Sequence, residues 1–187
     1  MADYISSALE ANEKDAWATP QWLFAALDEE FLFIRDVAAS VNNKKCHHFI
    51  DINQNALTMD DWLEGMRGYE SLAHKAVWCN PPYSRGMVKA FMEKAYQQCR
   101  DNKITVVLLV PATVDAGWWP ENATEIRLIT KGRISFQHPV TKVEVNGNTK
   151  GSAIVIFEFA RLGHPTTTKY IEREKLKQSG NLFMEAP

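Results

Sequence analysis

Apolar positions recur along this chain in two distinct periods. Leu23, Ala26, Leu27 and Phe31 follow one another at three- and four-residue spacing, which predicts a helix with Thr19 as N-cap and Pro20 at its first position. Residues 31–36, 46–52, 76–79 and 103–111 are short apolar runs rich in β-branched and aromatic side chains, and they predict buried strands. The run at 103–111 is the strongest and is apolar on both faces, as a central parallel strand requires. Between the last two runs, Ser84 is placed to cap a crossover helix whose core-facing stripe is Met87, Val88, Phe91, Ala95 and Tyr96, with Lys89 and Glu93 paired outside. Residues 125–130, 132–136 and 151–159 are also strand-like. The last two suggest an antiparallel pair around a polar excursion, 137–150, with Gly147 and Asn148 at its tip. From Leu162 onward a short helix with a solvated, mixed-charge face is expected, and residues 1–16 read as a loose lead-in. Strands separated by helical stretches make this an α/β chain.

Composition narrows the picture. A length of 187 residues predicts a single domain, 1–187, and 45% hydrophobic with 24% charged residues is ordinary globular usage. No run approaches the roughly 18 apolar residues of a membrane span, and the N-terminus lacks a basic segment followed by an apolar one. Cys46, Cys79 and Cys99 are odd in number and widely spaced, which argues against a disulfide framework or a cysteine zinc site and for a reducing, cytoplasmic setting. His47 and His48 are neighbours, and on a strand they would face opposite sides, so no metal site is expected. With a net charge of −2, any nucleic-acid contact must come from a local basic surface. Lys131, Arg133, His138, Lys142 and Lys150 against Glu144 make the excursion 137–150 and its flanks the most basic stretch. The alternative for it is a solvated hairpin.

The chemistry centres on Ala76-Val77-Trp78-Cys79-Asn80-Pro81-Pro82-Tyr83. Proline has no N–H for a sheet ladder and holds the preceding residue extended, so the strand ends rigidly at Asn80. Carboxyl ends of strands are where open α/β sheets place ligands. There, the Asn80 side-chain oxygen and the Pro81 carbonyl can both accept hydrogen bonds from an amino group on a planar base, with Tyr83 stacked on the ring. The plainer reading is a Pro-Pro turn closed by a surface tyrosine. The small residues Val37-Ala38-Ala39-Ser40 would let a ligand approach the backbone after the first strand. Asp51, ending the second strand, stands where doubly wound folds bind ribose hydroxyls. Asp60 and Asp61 either cap a turn or line a ligand, and Trp118 and Trp119 are either core or a wall of the base pocket.

In order along the chain, Trp17-Ala-Thr-Pro20, Asp36-Val-Ala-Ala-Ser40, Asn80-Pro-Pro-Tyr83, Gly132-Arg-Ile-Ser-Phe136 and Gly151-Ser152-Ala153 resemble the phage-type DNA N6-adenine methyltransferases. That resemblance implies a Rossmann-like methyltransferase fold: a mixed, mostly parallel sheet with an antiparallel last strand and helices on both faces. It implies S-adenosylmethionine as methyl donor, with no metal, and double-stranded DNA with a flipped adenine as acceptor. Asn80, Pro81, Pro82 and Tyr83 would then be catalytic. The cofactor would lie against Thr19, Pro20, Asp36, Ala38, Ser40, Asp51 and Asn80, with Asp36 on its α-ammonium group and Asp60 or Asp61 beside its adenine. The chain departs from the family pattern at Val37 and in lacking a glycine in that loop. Lacking room for a separate recognition domain, it would contact DNA through 137–150 and its flanks, using Lys131, Arg133, Lys142 and Lys150. Related acceptors sharing the same logic are RNA adenine, cytosine N4 and the glutamine side chain of a protein. A non-catalytic nucleic-acid-binding module is the non-enzymatic alternative.

Overall fold

In the computed structural model, residues 17–69, 72–138, 141–145 and 148–185 are described; the lead-in expected at 1–16 and the Gly147 tip fall outside them. Seven strands form one sheet in the order β2-β1-β3-β4-β8-β5-β9. They are β1 (Phe33–Asp36), β2 (His48–Phe49), β3 (Ala76–Cys79), β4 (Thr105–Pro111), β5 (Glu125–Thr130), β8 (Ser152–Phe157) and β9 (Thr167–Glu172). A separate ribbon pairs β6 (Phe136–Gln137) with β7 (Glu144–Val145). Pairing is parallel from β2 through β1 and β3 to β4; β8 runs antiparallel between β4 and β5, and β9 is parallel to β5. The expected mixed, mostly parallel α/β sheet is therefore present, as a Rossmann-like methyltransferase fold requires. Its antiparallel strand, however, is internal, and a parallel edge strand follows it.

Alternation along β4 explains how both faces are covered. Val106, Leu108 and Val110 join one apolar cluster with Val88, Phe91, Met92, Ala95 and Cys99 of helix α2 (Met87–Asn102). Val107 and Leu109 join another with Trp22, Leu23, Phe24, Leu27 and Phe31 of helix α1 (Gln21–Phe31). Successive side chains of a strand point to opposite faces, so a run apolar at every position must be sandwiched between two layers. Helix α3 (Arg173–Glu185) packs on α1, at Gly180, where a Cβ would stand 1.9 Å from the Trp22 carbonyl oxygen.

Several expected boundaries shift for local reasons. Thr19 does not cap α1. The Ala18 and Gln137 backbones exchange hydrogen bonds of 2.9 and 2.8 Å, which holds the chain extended up to Thr19, and Pro20 is the N-cap, its carbonyl accepting from Leu23 and Phe24. Phe31 is the last residue of α1 and Leu32 its left-handed cap, so β1 starts at Phe33. Ser84 does not cap α2 with its side chain. Its carbonyl accepts from Met87 in a turn, and Gly86, at φ 83°, is the N-cap, a backbone conformation suited to glycine. The expected 46–52 strand shrinks to two residues because a turn begins at Asp51. Residues 132–136 do not pair with 151–159: β8 is taken by β4 and β5, and Phe136 pairs with Val145 instead. Past Leu162 the expected helix is preceded by β9, whose threonines, Tyr170 and Ile171 have the β-branched and aromatic character of a strand.

Candidate active site

Parallel strands deliver their ends to one edge. Register pairs Asp36 of β1 with Trp78 of β3, and Cys79 of β3 with Leu108 of β4, so Asp36, Asn80 and Pro111 all lie at the carboxyl edge of the sheet. Asn80 follows directly on β3, whose four residues are buried, and Pro81 is buried behind it. Its side-chain oxygen Oδ1 is buried and has no hydrogen-bond partner among the described residues. Leaving such an acceptor unmade costs about 1–3 kcal/mol, and sites with a functional reason are where native folds tolerate it.

Tyr83 is 38% exposed through its ring, while its hydroxyl donates to the Leu109 carbonyl at 3.2 Å. Burial of that hydroxyl raises the phenol well above its ordinary pKa, so it stays protonated and remains a donor. Phe136 meets the ring edge-on, with centroids 6.0 Å apart at 87°. The ring is thus pinned at its hydroxyl and along one edge. Cys79 is fully buried and its thiol is raised by that burial, which removes it as a nucleophile toward a base.

Asp36 is 2% exposed. Its carboxylate accepts from the Ala38 N–H at 3.3 Å and the Lys45 N–H at 3.0 Å. Burial raises its pKa to about 6 against the opposing pull of those hydrogen bonds and of the Lys45 charge. The loop beyond it follows the sheet: Val37 N–H donates to Trp78, Ala39 N–H to Ile50 and Ile50 N–H to Asp36. Ala38 is half-buried and Ser40 is exposed, both of its donors going to Asn43 Oδ1. Thr19 and Pro20 are buried at the entry to α1. Asp51 caps a turn, its Oδ1 accepting from Asn53 and Gln54. Asp61 likewise caps a turn through Leu63, whereas Asp60 is held by its carbonyl, which accepts from Gln98 and Asn102.

The four basic residues expected to face DNA are spread more widely. Lys131 pairs with Glu172 at 2.7 Å, Arg133 donates to the Asn148 carbonyl, Lys142 donates to the Asn42 carbonyl, and Lys150 is exposed. The ribbon is tied down on three sides: by the Ala18–Gln137 bridge, by Trp22 Nε1 donating to Glu144 at 2.9 Å, and by Lys142 over the turn after β1. Trp118 and Trp119 pack on the α2-side core and line a cleft of about 840 Å³ with Met92 and Tyr96. The geometry adds Leu109, Phe136, Asn42 and Lys45 to the neighbourhood. Only Phe136 sat in a recognisable motif; Lys45 was visible merely as one of two adjacent lysines.

A family model described as DNA N-6-adenine-methyltransferase (Dam) matches residues 6–183. The chain is 32% identical over 176 residues to the DNA N-6-adenine-methyltransferase of Haemophilus phage HP1 (strain HP1c1), covering 91% of this chain and 94% of that one. It is also 32% identical over 176 residues to the DNA N-6-adenine-methyltransferase of Escherichia phage T1, covering 84% of this chain and 68% of the relative. A match along nearly the whole chain, on a sheet that carries Asn-Pro-Pro-Tyr at its carboxyl edge, makes this chain a member of the DNA N-6-adenine-methyltransferase family.

Proposed function

We propose that this protein, acting as one methyltransferase domain over 1–187, transfers the methyl group of S-adenosylmethionine to the N6 amino group of adenine in double-stranded DNA, with Asn80, Pro81, Pro82 and Tyr83 as the catalytic turn. The observation that carries the reading is the buried Asn80 Oδ1 at the end of β3, which has no partner among the described residues. A buried acceptor that no described residue satisfies suits a donor that arrives with the substrate. Adenine N6 has two hydrogens, one for Asn80 Oδ1 and one for the Pro81 carbonyl.

An N6 lone pair is delocalised into the ring. Drawing on both N–H bonds as charge develops favours a pyramidal, nucleophilic nitrogen, and acceptors fixed in advance by two prolines need no reorganisation. The base is out of reach inside a duplex and must be extruded at a cost of a few kcal/mol. Stacking on the Tyr83 ring offsets roughly 1–3 kcal/mol of that cost. The cofactor supplies an electrophilic methyl group on a sulfonium centre. The residues present fit it: Asp36 is a buried carboxylate whose oxygens retain lone pairs beyond the two N–H groups they accept, and the side chains of residues 37–40 are small enough for close approach. Asp51 retains one carboxylate oxygen for a ribose hydroxyl. Asp60 or Asp61 is the acid for the cofactor adenine, Asp61 through the carboxylate oxygen that does not accept from Leu63, and the ribbon with its continuation to 150 is the DNA-facing element.

Nucleoside analysis of DNA from cells expressing the protein, in a host without adenine methylation of its own, tests the proposal. N6-methyladenine is expected with the wild type and not with Asn80→Ala. Methylated cytosine, or modification confined to RNA or protein, would refute it.

A further inference from the structure

The turn after β1 and the ribbon bring positive charge together where neither was expected to meet. Lys142, from the ribbon, donates to the Asn42 carbonyl, and Lys45 follows Asn42 by three residues. The Lys45 ammonium also reaches Gln21 Oε1 at 3.1 Å, and Lys44 lies over the Phe49 ring, 4.6 Å from its centroid. Burial lowers the proton affinity of Lys45, the attraction of Asp36 opposes it, and Lys142 is near enough to add to the lowering. Carboxylates offset this cluster only in part: Asp36, which attracts Lys45, is buried, and Glu144 accepts from Trp22 Nε1. Like charges held together by the fold are unfavourable until an anion sits between them.

The cluster is continuous with the candidate base site. Phe136 meets Tyr83, the next residue Gln137 pairs with Ala18, and the ribbon runs on to Lys142 and the turn at Asn42. We propose that Lys45 and Lys142, with Lys44 at the rim, form a phosphate-binding site for the DNA strand that carries the target adenine. The inference rests on the methyltransferase reading above. It gives the turn between β1 and β2 a double role, in which its backbone N–H groups hold Asp36 while its lysine side chains hold the nucleic acid.

Equilibrium binding of a duplex containing 2-aminopurine, measured across a salt series, tests this. Each neutralised phosphate contact contributes about one unit to the slope of log affinity against log salt. Lys45→Gln and Lys142→Gln should each lower that slope by about one and together by about two, while Lys45→Arg keeps it. Lys103→Gln, on the residue just before β4 at the opposite edge of the sheet, should leave it unchanged. Cofactor affinity, measured by calorimetry, should be unchanged in Lys142→Gln and Lys103→Gln, and thermal melting confirms that each variant is folded. An unaltered slope in the folded double variant would overturn the proposal. So would loss of cofactor affinity with the slope retained, because the anion would then be the cofactor carboxylate. A wild type that binds the same duplex with adenine in place of 2-aminopurine, yet does not methylate it, would instead count against the methyltransferase reading, leaving the phosphate site to be judged on its own slope.

Discussion

Asn80 and Tyr83 share one turn yet fail differently when altered. Asn80→Ala removes an acceptor whose value rises as charge develops on nitrogen, so turnover should fall 10²-fold or more, the loss of about 2.7–4 kcal/mol seen for a transition-state hydrogen bond, with cofactor affinity intact. Single-turnover methylation and calorimetry on the same preparation separate the two. Tyr83→Ala should cost roughly 1–3 kcal/mol in capture of the extruded base, read by 2-aminopurine fluorescence. Tyr83→Phe keeps the ring but loses the hydrogen bond to Leu109, worth about 1 kcal/mol, so a several-fold loss of base capture is expected. From the sequence, the ring alone carried the argument for Tyr83; the anchoring role of its hydroxyl needed the packing of β4 beside β3. Asp36 gives a pH signature. Its folded pKa of about 6 lies above its ordinary 3.8, so between these values the folded chain binds more protons than the unfolded one, and stability falls as pH rises through that window. Denaturant unfolding should therefore show a gain on acidification from pH 7 toward 4 that Asp36→Asn lacks. If Asp36 holds the cofactor ammonium, affinity should fall below about pH 6 in the wild type only.

At the scale of elements, two junctions dominate. The α1–α3 contact is made through backbone at Gly180, and Gly180→Ala would drive a methyl into the Trp22 carbonyl, which has no rotamer to escape by. Overpacking of this kind costs about 1–3 kcal/mol or more, so thermal melting should drop by several degrees. At the start of β5, Glu125 is buried with Arg127 at 2.5 Å, Lys169 at 2.8 Å and Arg161 at 3.4 Å. Burial alone would raise its pKa, but hydrogen bonds from Lys169 and Arg127 hold it below the usual carboxylate value. Glu125→Gln leaves Arg127 paired with Glu30 and Arg161 with Glu158 but takes the carboxylate from Lys169, and a loss of about 1–3 kcal/mol is expected in denaturant unfolding. Elements with a single strong period were readable in advance: residues 125–130 match β5, and the run at 103–111 contains β4. Thr167–Glu172 escaped because its alternation is weak, as expected where one edge meets solvent, and its lysine and glutamate read as part of a solvated helix. The ribbon escaped because its partners are Ala18, Trp22 and Asn42, all more than 90 residues away in sequence.

For the whole molecule, the carboxyl-edge site was legible because the Pro-Pro stop marks a strand end in any register. What covers that site was not, since the path of the ribbon depends on contacts between distant segments. The placement of β8 has a consequence for the order of assembly. Among the described strands it is the sole bridge between β4 and β5, so a growing chain that has released residues 1–150 carries two strands, Pro111 side and Glu125 side, each with an open ladder edge and no way to join. Long-range pairing of this kind is slow, and open edges invite association with other chains. Released chains truncated at 150 should be cleaved rapidly by protease within 125–130, whereas released chains that extend past 157, with β8 free to insert, should be protected there. The sheet closes like a zip whose slider is made late: the half of the molecule nearest the C-terminus stays unjoined until six residues, Ser152–Phe157, emerge and run backwards between strands already made.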